Sequence, residues 1–196
     1  MELISHRINS IKALCNTHKK YGVEVDIRSY GDELIIAHDP FSNFAYFKKW
    51  IKFYDHGTLV LNVKEDGLED KLLKELVTNN IKNFFFLDQA FPSLIKTIKL
   101  KEKRCAVRLS EYESIQTVLN LKDNVDWVWI DFFTKFPLDY KSYNLLKENK
   151  FKLCLVSPEL HGYNEIETIN LKEFLKQQNI LLDAVCTNFI NLWEDP

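Results

Sequence analysis

Gly22-Val23-Glu24-Val25-Asp26-Ile27-Arg28-Ser29-Tyr30-Gly31-Asp32-Glu33-Leu34-Ile35-Ile36-Ala37-His38 is the stretch on which the reading of this chain turns. Val23, Val25 and Ile27 alternate with Glu24, Asp26 and Arg28, and side chains on a strand alternate between its faces. One face is therefore apolar and β-branched, and the other carries two carboxylates and a guanidinium. Gly31-Asp32 reads as a tight turn, so the second apolar run returns as the arm of a small hairpin that carries His38. Glu24 and Asp26 stand about 7 Å apart along the strand, at ~3.3 Å per residue. Two inward carboxylates that close repel each other unless a cation or a proton lies between them. Oxygen ligands suit a hard ion, Mg2+ or Ca2+. A solvated strand face neutralised by Arg28 and nearby lysines is the plainer reading of the same pattern.

Working outward, seven further apolar, β-prone runs occur: Glu2–Ser5, Thr58–Val63, Asn83–Leu87, Arg104–Leu109, Trp127–Ile130, Lys152–Val156 and Ala184–Cys186. Helical patterns lie between the runs, over Ser10–Lys20, Asn43–Tyr54, Leu68–Asn79, Pro92–Lys101, Glu111–Leu121, Asp139–Asn149 and Glu165–Gln178. In the third of these, Leu68, Leu72, Leu73 and Leu76 follow the three-to-four-residue period of one helix face. Ser110 before Glu113, and Ser93 behind Pro92, read as helix starts. Strands that alternate with helices pair in parallel, because each parallel return needs a long crossover. The expected fold is α/β, a compact (β/α)8 TIM-type barrel forming a single domain over residues 1–196. A small hairpin follows its second strand, and its last helix is short or missing.

With 26 basic and 28 acidic residues the net charge is −2, so no broad basic field points to nucleic acid. An anionic ligand must then be recognised locally. No run reaches the ~18 apolar residues that span a bilayer, and the N-terminus lacks the pattern of a signal peptide. The four cysteines are scattered, with no C-x-x-C spacing. They read as reduced thiols of a cytoplasmic protein rather than disulfide or zinc ligands.

Active sites of (β/α)8 barrels gather at the C-terminal ends of the strands. Chemically capable residues recur there: His6 and Arg7 after run one, Glu24, Asp26 and Arg28 on run two, Asn62 and Lys64 on run three, Asp88 on run four, Arg108 on run five and Asp131 on run six. Two imidazoles, at His6 and His38, flank the carboxylate pair. Imidazole titrates near neutrality, so one can accept a proton while the other donates. Asp39 is placed to orient a ring or to cap a turn. His161 lies in a Pro/Gly-containing loop after run seven and reads as a surface residue. The aromatic runs Phe84-Phe85-Phe86 and Trp127-Val128-Trp129 read as buried strands.

In order, spacing and strand context, Ile4-Ser5-His6-Arg7, Gly22-Val23-Glu24-Val25-Asp26-Ile27-Arg28 and His38-Asp39-Pro40 resemble the glycerophosphodiester phosphodiesterase family, within the phosphatidylinositol-phospholipase-C-like superfamily. Leu59-Val60-Leu61-Asn62-Val63-Lys64 is similar to the family's third strand, and Ala184-Val185-Cys186-Thr187-Asn188 to its closing strand. The resemblance implies His6 and His38 as acid and base, Arg7 and Lys64 as phosphate-binding residues, and Glu24, Asp26 and Asn62 as ligands of one divalent cation, Mg2+ or Ca2+. It implies a metal-dependent hydrolase of a small glycerol-phosphate-type diester, fitting lipid head-group or polysaccharide metabolism, with its oligomeric state left open. There are departures. Ile8 stands where the family has glycine, the first helical segment is short, and the family's third carboxylate ligand is replaced by Asn62. That last change keeps open a second expectation: a non-catalytic barrel that binds phosphate ligands and has lost full metal binding. A third, a (β/α)8 enzyme using Lys64 as a Schiff base, is weaker.

Overall fold

A computed structural model describes residues 1–194. In chain order the elements are β1 (Glu2–Ser5), α1 (Ile11–Asn16), β2 (Gly22–Tyr30), β3 (Glu33–Ile36), β4 (Ala45–Tyr46), α2 (Phe47–Trp50), β5 (Leu59–Val63), α3 (Glu69–Thr78), β6 (Phe84–Leu87) and α4 (Phe91–Lys99). The series continues with β7 (Ala106–Leu109), α5 (Ile115–Leu119), β8 (Trp127–Ile130), α6 (Tyr140–Glu148), β9 (Lys152–Val156), α7 (Glu165–Gln177), β10 (Ala184–Thr187) and α8 (Ile190–Trp193). All eight expected strands are present. So are the hairpin and the short last helix.

Helix boundaries depart from expectation for local reasons. α1 stops at Asn16 because Thr17 is extended (ψ 134°) and closes the helix with bonds to the carbonyls of Ala13 and Leu14. The segment from Asn43 was expected to be helical, but Ala45 and Tyr46 pair with Ile36 and Ile35 as β4, so helix begins only at Phe47. α5 starts at Ile115, with the Ser114 hydroxyl accepting from the Gln116 amide, because Ser110 and Glu113 first form an isolated bridge. Ser93 does not start α4. It lies inside the helix and its hydroxyl donates to Asp66 Oδ1 (2.9 Å).

The chain divides into two compact units, Ser5–Arg104 and Met1–Ile4 with Cys105 onward. In the first, β2 runs parallel to β5, and β5 parallel to β6. β3 pairs antiparallel with β2 through a turn in which Gly31 takes φ +58°, a conformation glycine adopts without strain. Val23, Val25 and Ile27 are fully buried on one face of β2. The β2–β5 register sets Asp26 opposite Asn62 and Glu24 opposite Val60. Since directly paired residues share a face, this pairing turns a 36-residue separation into a neighbouring pair of side chains. The buried rings of Phe84, Phe85 and Phe86 bear out the reading of that run.

In the second unit β1, β10, β9, β8 and β7 lie side by side in that order, with β7, β8, β9 and β10 parallel. Trp127 and Trp129 are buried there. Cys105, Cys154 and Cys186 are buried thiols and Cys15 is exposed, all four without disulfides. Burial in apolar surroundings pushes the Cys154 thiol well up, as suits an inert core residue.

Candidate active site

The site residues expected from the sequence all fall in the unit Ser5–Arg104. Glu24 and Asp26 are buried on the polar face of β2. The segment after β1 folds over them. Ile8 donates its amide to the Glu24 carbonyl (2.8 Å), and Arg7 donates its amide to Glu24 Oε2 (2.8 Å). Aiming that amide at the carboxylate holds Arg7 at φ +52°, a conformation a long side chain rarely takes. Strain of this kind persists where the surroundings over-determine it, as they do here. Asn9 completes the clamp: its side-chain amide donates to Asp26 Oδ2 (2.7 Å) and its Oδ1 accepts from the Asp26 amide (3.1 Å). Asn9 was not anticipated. Its only signal in the sequence is a polar residue just after the His6-Arg7 pair.

His38 sits two residues past β3. Pairing continues beyond the strand, with Ala37 donating to the Asp26 carbonyl (3.0 Å), which draws the hairpin arm to the carboxylates. Arg28 donates from Nε and Nη2 to the His38 carbonyl (3.1 and 3.0 Å), fixing the backbone that carries the ring. Arg7 Nη2 lies 2.7 Å from His38 Nε2. A guanidinium only donates, so Nε2 must be the accepting nitrogen and Nδ1 must carry the proton. Nδ1–H donates to Asp39 Oδ1 (2.8 Å), the orienting role expected of Asp39. His6 Nε2 lies 3.9 Å from Glu24 Oε2. Lys64 places its ammonium 3.2 Å from Asp26 Oδ1 and 3.9 Å from Asp88 Oδ2. Lys64 is thus paired with two carboxylates.

Burial, reinforced by the Asp26 charge, pushes the Glu24 carboxyl up to about 7, against the weaker pull of the Arg7 amide, Asn62 and Lys64. Two buried oxygens of this cluster, Glu24 Oε1 and Asn62 Oδ1, accept no hydrogen bond, and Asp26 Oδ1 has the Lys64 ammonium at 3.2 Å as its ionic partner. An unpaired buried oxygen is costly. Oxygen donors on neighbouring positions of β2 and β5, two of them on carboxylates, are the kind a hard cation takes. The residues therefore fit the divalent ion that the resemblance implies. The set is two carboxylates and one amide, and no group of three His, Cys, Asp or Glu side chains among the described residues gathers as a metal site. Glu65 does not join it. Its Oε2 accepts from the Ser29 amide (3.1 Å) and hydroxyl (2.6 Å).

The strand-end residues of the other unit form their own cluster. Asp131 is buried, accepts from Arg108 Nη1, and lies 3.1 Å from His161 Nε2 through its other oxygen. His161 is thus a partly buried partner of Asp131 rather than a plain surface residue. Glu159 accepts from the hydroxyls of Ser157 and Thr187 and from the Asn188 amide, tying the loop after β9 to β10.

No protein-family model and no curated protein matches the chain. Solved structures do. A phosphodiesterase from Oleispira antarctica, solved with the product sn-glycerol-3-phosphate, aligns over 96% of this chain and 93% of its own, with TM-score 0.64 and 16% identity. A glycerophosphodiester phosphodiesterase from Agrobacterium tumefaciens aligns over 98% of both chains, with TM-score 0.62 and 9% identity. A glycerophosphoryl diester phosphodiesterase from Parabacteroides distasonis aligns over 95% of this chain and 82% of its own, with TM-score 0.64 and 12% identity. This chain has their fold. The α/β class of (β/α)8 type expected from the strand–helix rhythm is borne out over nearly the whole length.

Proposed function

We propose that this chain is a phosphoric diester hydrolase acting on a small glycerol-phosphate-type diester, with His6 and His38 as acid and base. The observation that carries the reading is the buried Glu24, Asp26 and Asn62 oxygens, Glu24 Oε1 and Asn62 Oδ1 without a hydrogen bond, set among two imidazoles, Arg7 and Lys64. The fold shared with three phosphodiesterases, one of them holding sn-glycerol-3-phosphate, supports the substrate class. Glu24, Asp26 and Asn62 would hold one Mg2+ or Ca2+. Bound there, the ion would supply positive charge to the equatorial phosphate oxygens and acidify the attacking hydroxyl.

The protein's own groups supply the rest. Arg7 and Lys64 bring fixed positive charge to the phosphate, where charge grows in the transition state. Arg7 leaves His38 Nε2 as it turns to the phosphate, baring the basic lone pair. His38 then takes the proton of the attacking hydroxyl as the new oxygen–phosphorus bond forms. Asp39, bonded to Nδ1–H, steadies the imidazolium that results. His6, whose Nε2 lies 3.9 Å from Glu24 Oε2, gives a proton to the departing alcohol oxygen as its bond to phosphorus breaks. The attacking hydroxyl is water, or an internal hydroxyl that yields a cyclic phosphate first.

A second reading, a non-catalytic phosphate binder, draws on the Lys64–Asp26 contact and the neutral Asn62, which together lower the negative charge of the site without a metal. One experiment separates the two. Glycerophosphodiesters are assayed with and without chelator, on the parent and on His6→Ala, His38→Ala and Asp26→Ala. The hydrolase loses activity on chelation and in each variant, roughly 100-fold or more for either histidine. Tight diester binding without turnover by the parent would establish the binder instead.

A further inference from the structure

Around the hairpin, the unit Ser5–Arg104 carries a surface that the proposed chemistry leaves unused. Phe41, three residues beyond His38, is fully exposed, with a relative accessibility of 107%, and its backbone sits at φ +60°. A bulky residue held in the left-handed region with its ring in water gains nothing from the fold of its own chain. Tyr30 and Phe44 are also exposed, and their rings meet at 5.1 Å. Phe44 in turn packs edge-on against Tyr46 at 5.3 Å. The helix that follows, α2, buries Phe47 and Trp50 and turns Lys48 and Lys49 outward, and Lys52 in the 3-10 turn after it, Ile51–Phe53, is exposed as well. Tyr46 joins the two sets: the Lys49 ammonium lies 5.3 Å over its ring. Tyr46, the three lysines and Glu33 line one open cavity of about 470 Å³. The patch is thus an exposed aromatic tip with an adjoining collar of three cations beside Glu33. Asp32 and Glu75 line a neighbouring cavity with Lys48, where Lys71 and Lys74 accompany them and Lys71 lies 3.6 Å from Asp32.

From this we infer that the hairpin and the exposed Lys48, Lys49 and Lys52, on α2 and the turn after it, form a docking surface for an anionic lipid bilayer. Aromatic rings partition into the headgroup region, and lysines beside them are drawn to the negative surface potential of acidic lipids. A soluble anion would use the lysines and leave Phe41 without a purpose, whereas a membrane uses both. No helix among the described residues is long and apolar enough to cross a membrane, so the association would be peripheral. It places the loop that carries His38 against the bilayer. The inference is independent of the hydrolase reading, because it rests on residues outside the site.

The test is sedimentation of the whole chain with vesicles of phosphatidylcholine alone and of phosphatidylcholine mixed with phosphatidylglycerol, at low and high salt. The parent should bind the mixed vesicles at low salt, release them at high salt, and bind phosphatidylcholine weakly. Lys48→Gln with Lys49→Gln and Lys52→Gln should lower the partition coefficient on mixed vesicles, roughly fivefold per lysine. Phe41→Ser should lower it on both vesicle types while leaving turnover of a soluble diester and the circular dichroism spectrum unchanged. Three outcomes would overturn the inference: no binding to mixed vesicles, binding that neither variant weakens, or capture of soluble polyphosphate that matches vesicle binding and is indifferent to Phe41→Ser.

Discussion

Asn62 puts an amide oxygen where two neighbouring carboxylates already point, and that choice sets the charge of the whole cluster. With Glu24, Asp26 and Lys64 ionised, the group is one negative charge from neutrality, so a divalent ion meets less attraction than three carboxylates would offer. Asn62→Asp should tighten Mg2+ or Ca2+ binding, by roughly tenfold on the charge added at close range. Titration calorimetry checks it, and an unchanged affinity would place Asn62 outside the ligands. At this same scale the candidate site was largely legible. His6, Arg7, Glu24, Asp26, His38, Lys64 and Asn62 were all named from strand-end position and spacing, and all seven lie in one compact unit. Two details were not legible. Asn9's two bonds to Asp26 depend on how the chain turns after β1, which no local pattern announces. The proton on His38 Nδ1 follows from Arg7 facing Nε2, a contact made across 31 positions of sequence.

Among the elements, the β2–β3 hairpin is the one that builds the site. Strand alternation and Gly31 made it readable from the chain, yet its consequence is tertiary. Arg28, on the polar face of β2, grips the His38 carbonyl with two donors and meets Glu65 through its third nitrogen. It acts on the chemistry only by positioning His38. Arg28→Met should therefore lower kcat by roughly tenfold to a hundredfold with little change in KM, since a misplaced base slows the chemical step. Arg28→Lys should restore little, because one ammonium cannot reproduce two parallel donors. Steady-state kinetics beside a thermal melt check this, and a parallel loss of fold would make Arg28 merely structural. Short elements were where sequence reading failed. β4 is two residues long and, among the described residues, paired only with β3, so its expected helical character lost to strand pairing. α5 lost its first turn to a bond between Ser110 and Glu113.

For the molecule as a whole, the buried carboxyl of Glu24 links stability to pH and to the cation. Its folded value, about 7, lies above the ordinary 4.5. Between those values the folded state keeps a proton that the unfolded chain has lost, so stability without metal falls as pH rises from about 4.5 to about 7. The loss is on the order of 3 kcal/mol. A bound cation favours the carboxylate and reverses the trend. The melting temperature of the parent relative to Glu24→Gln should fall over that pH window in chelator, and Mg2+ or Ca2+ should raise it more at pH 8 than at pH 6. A pH-independent difference would show that Glu24 is ionised throughout. The strand–helix rhythm and the polar face of β2 were determined by the sequence alone, because alternation and periodicity are properties of neighbours along the chain. The pairing of Asp26 with Asn62, the Asn9 clamp, the orienting grip on His38 and the unbonded oxygens of Glu24 and Asn62 were decided only by the tertiary structure. Each depends on strand register and loop closure between residues far apart, where packing and burial rather than local preference set the geometry.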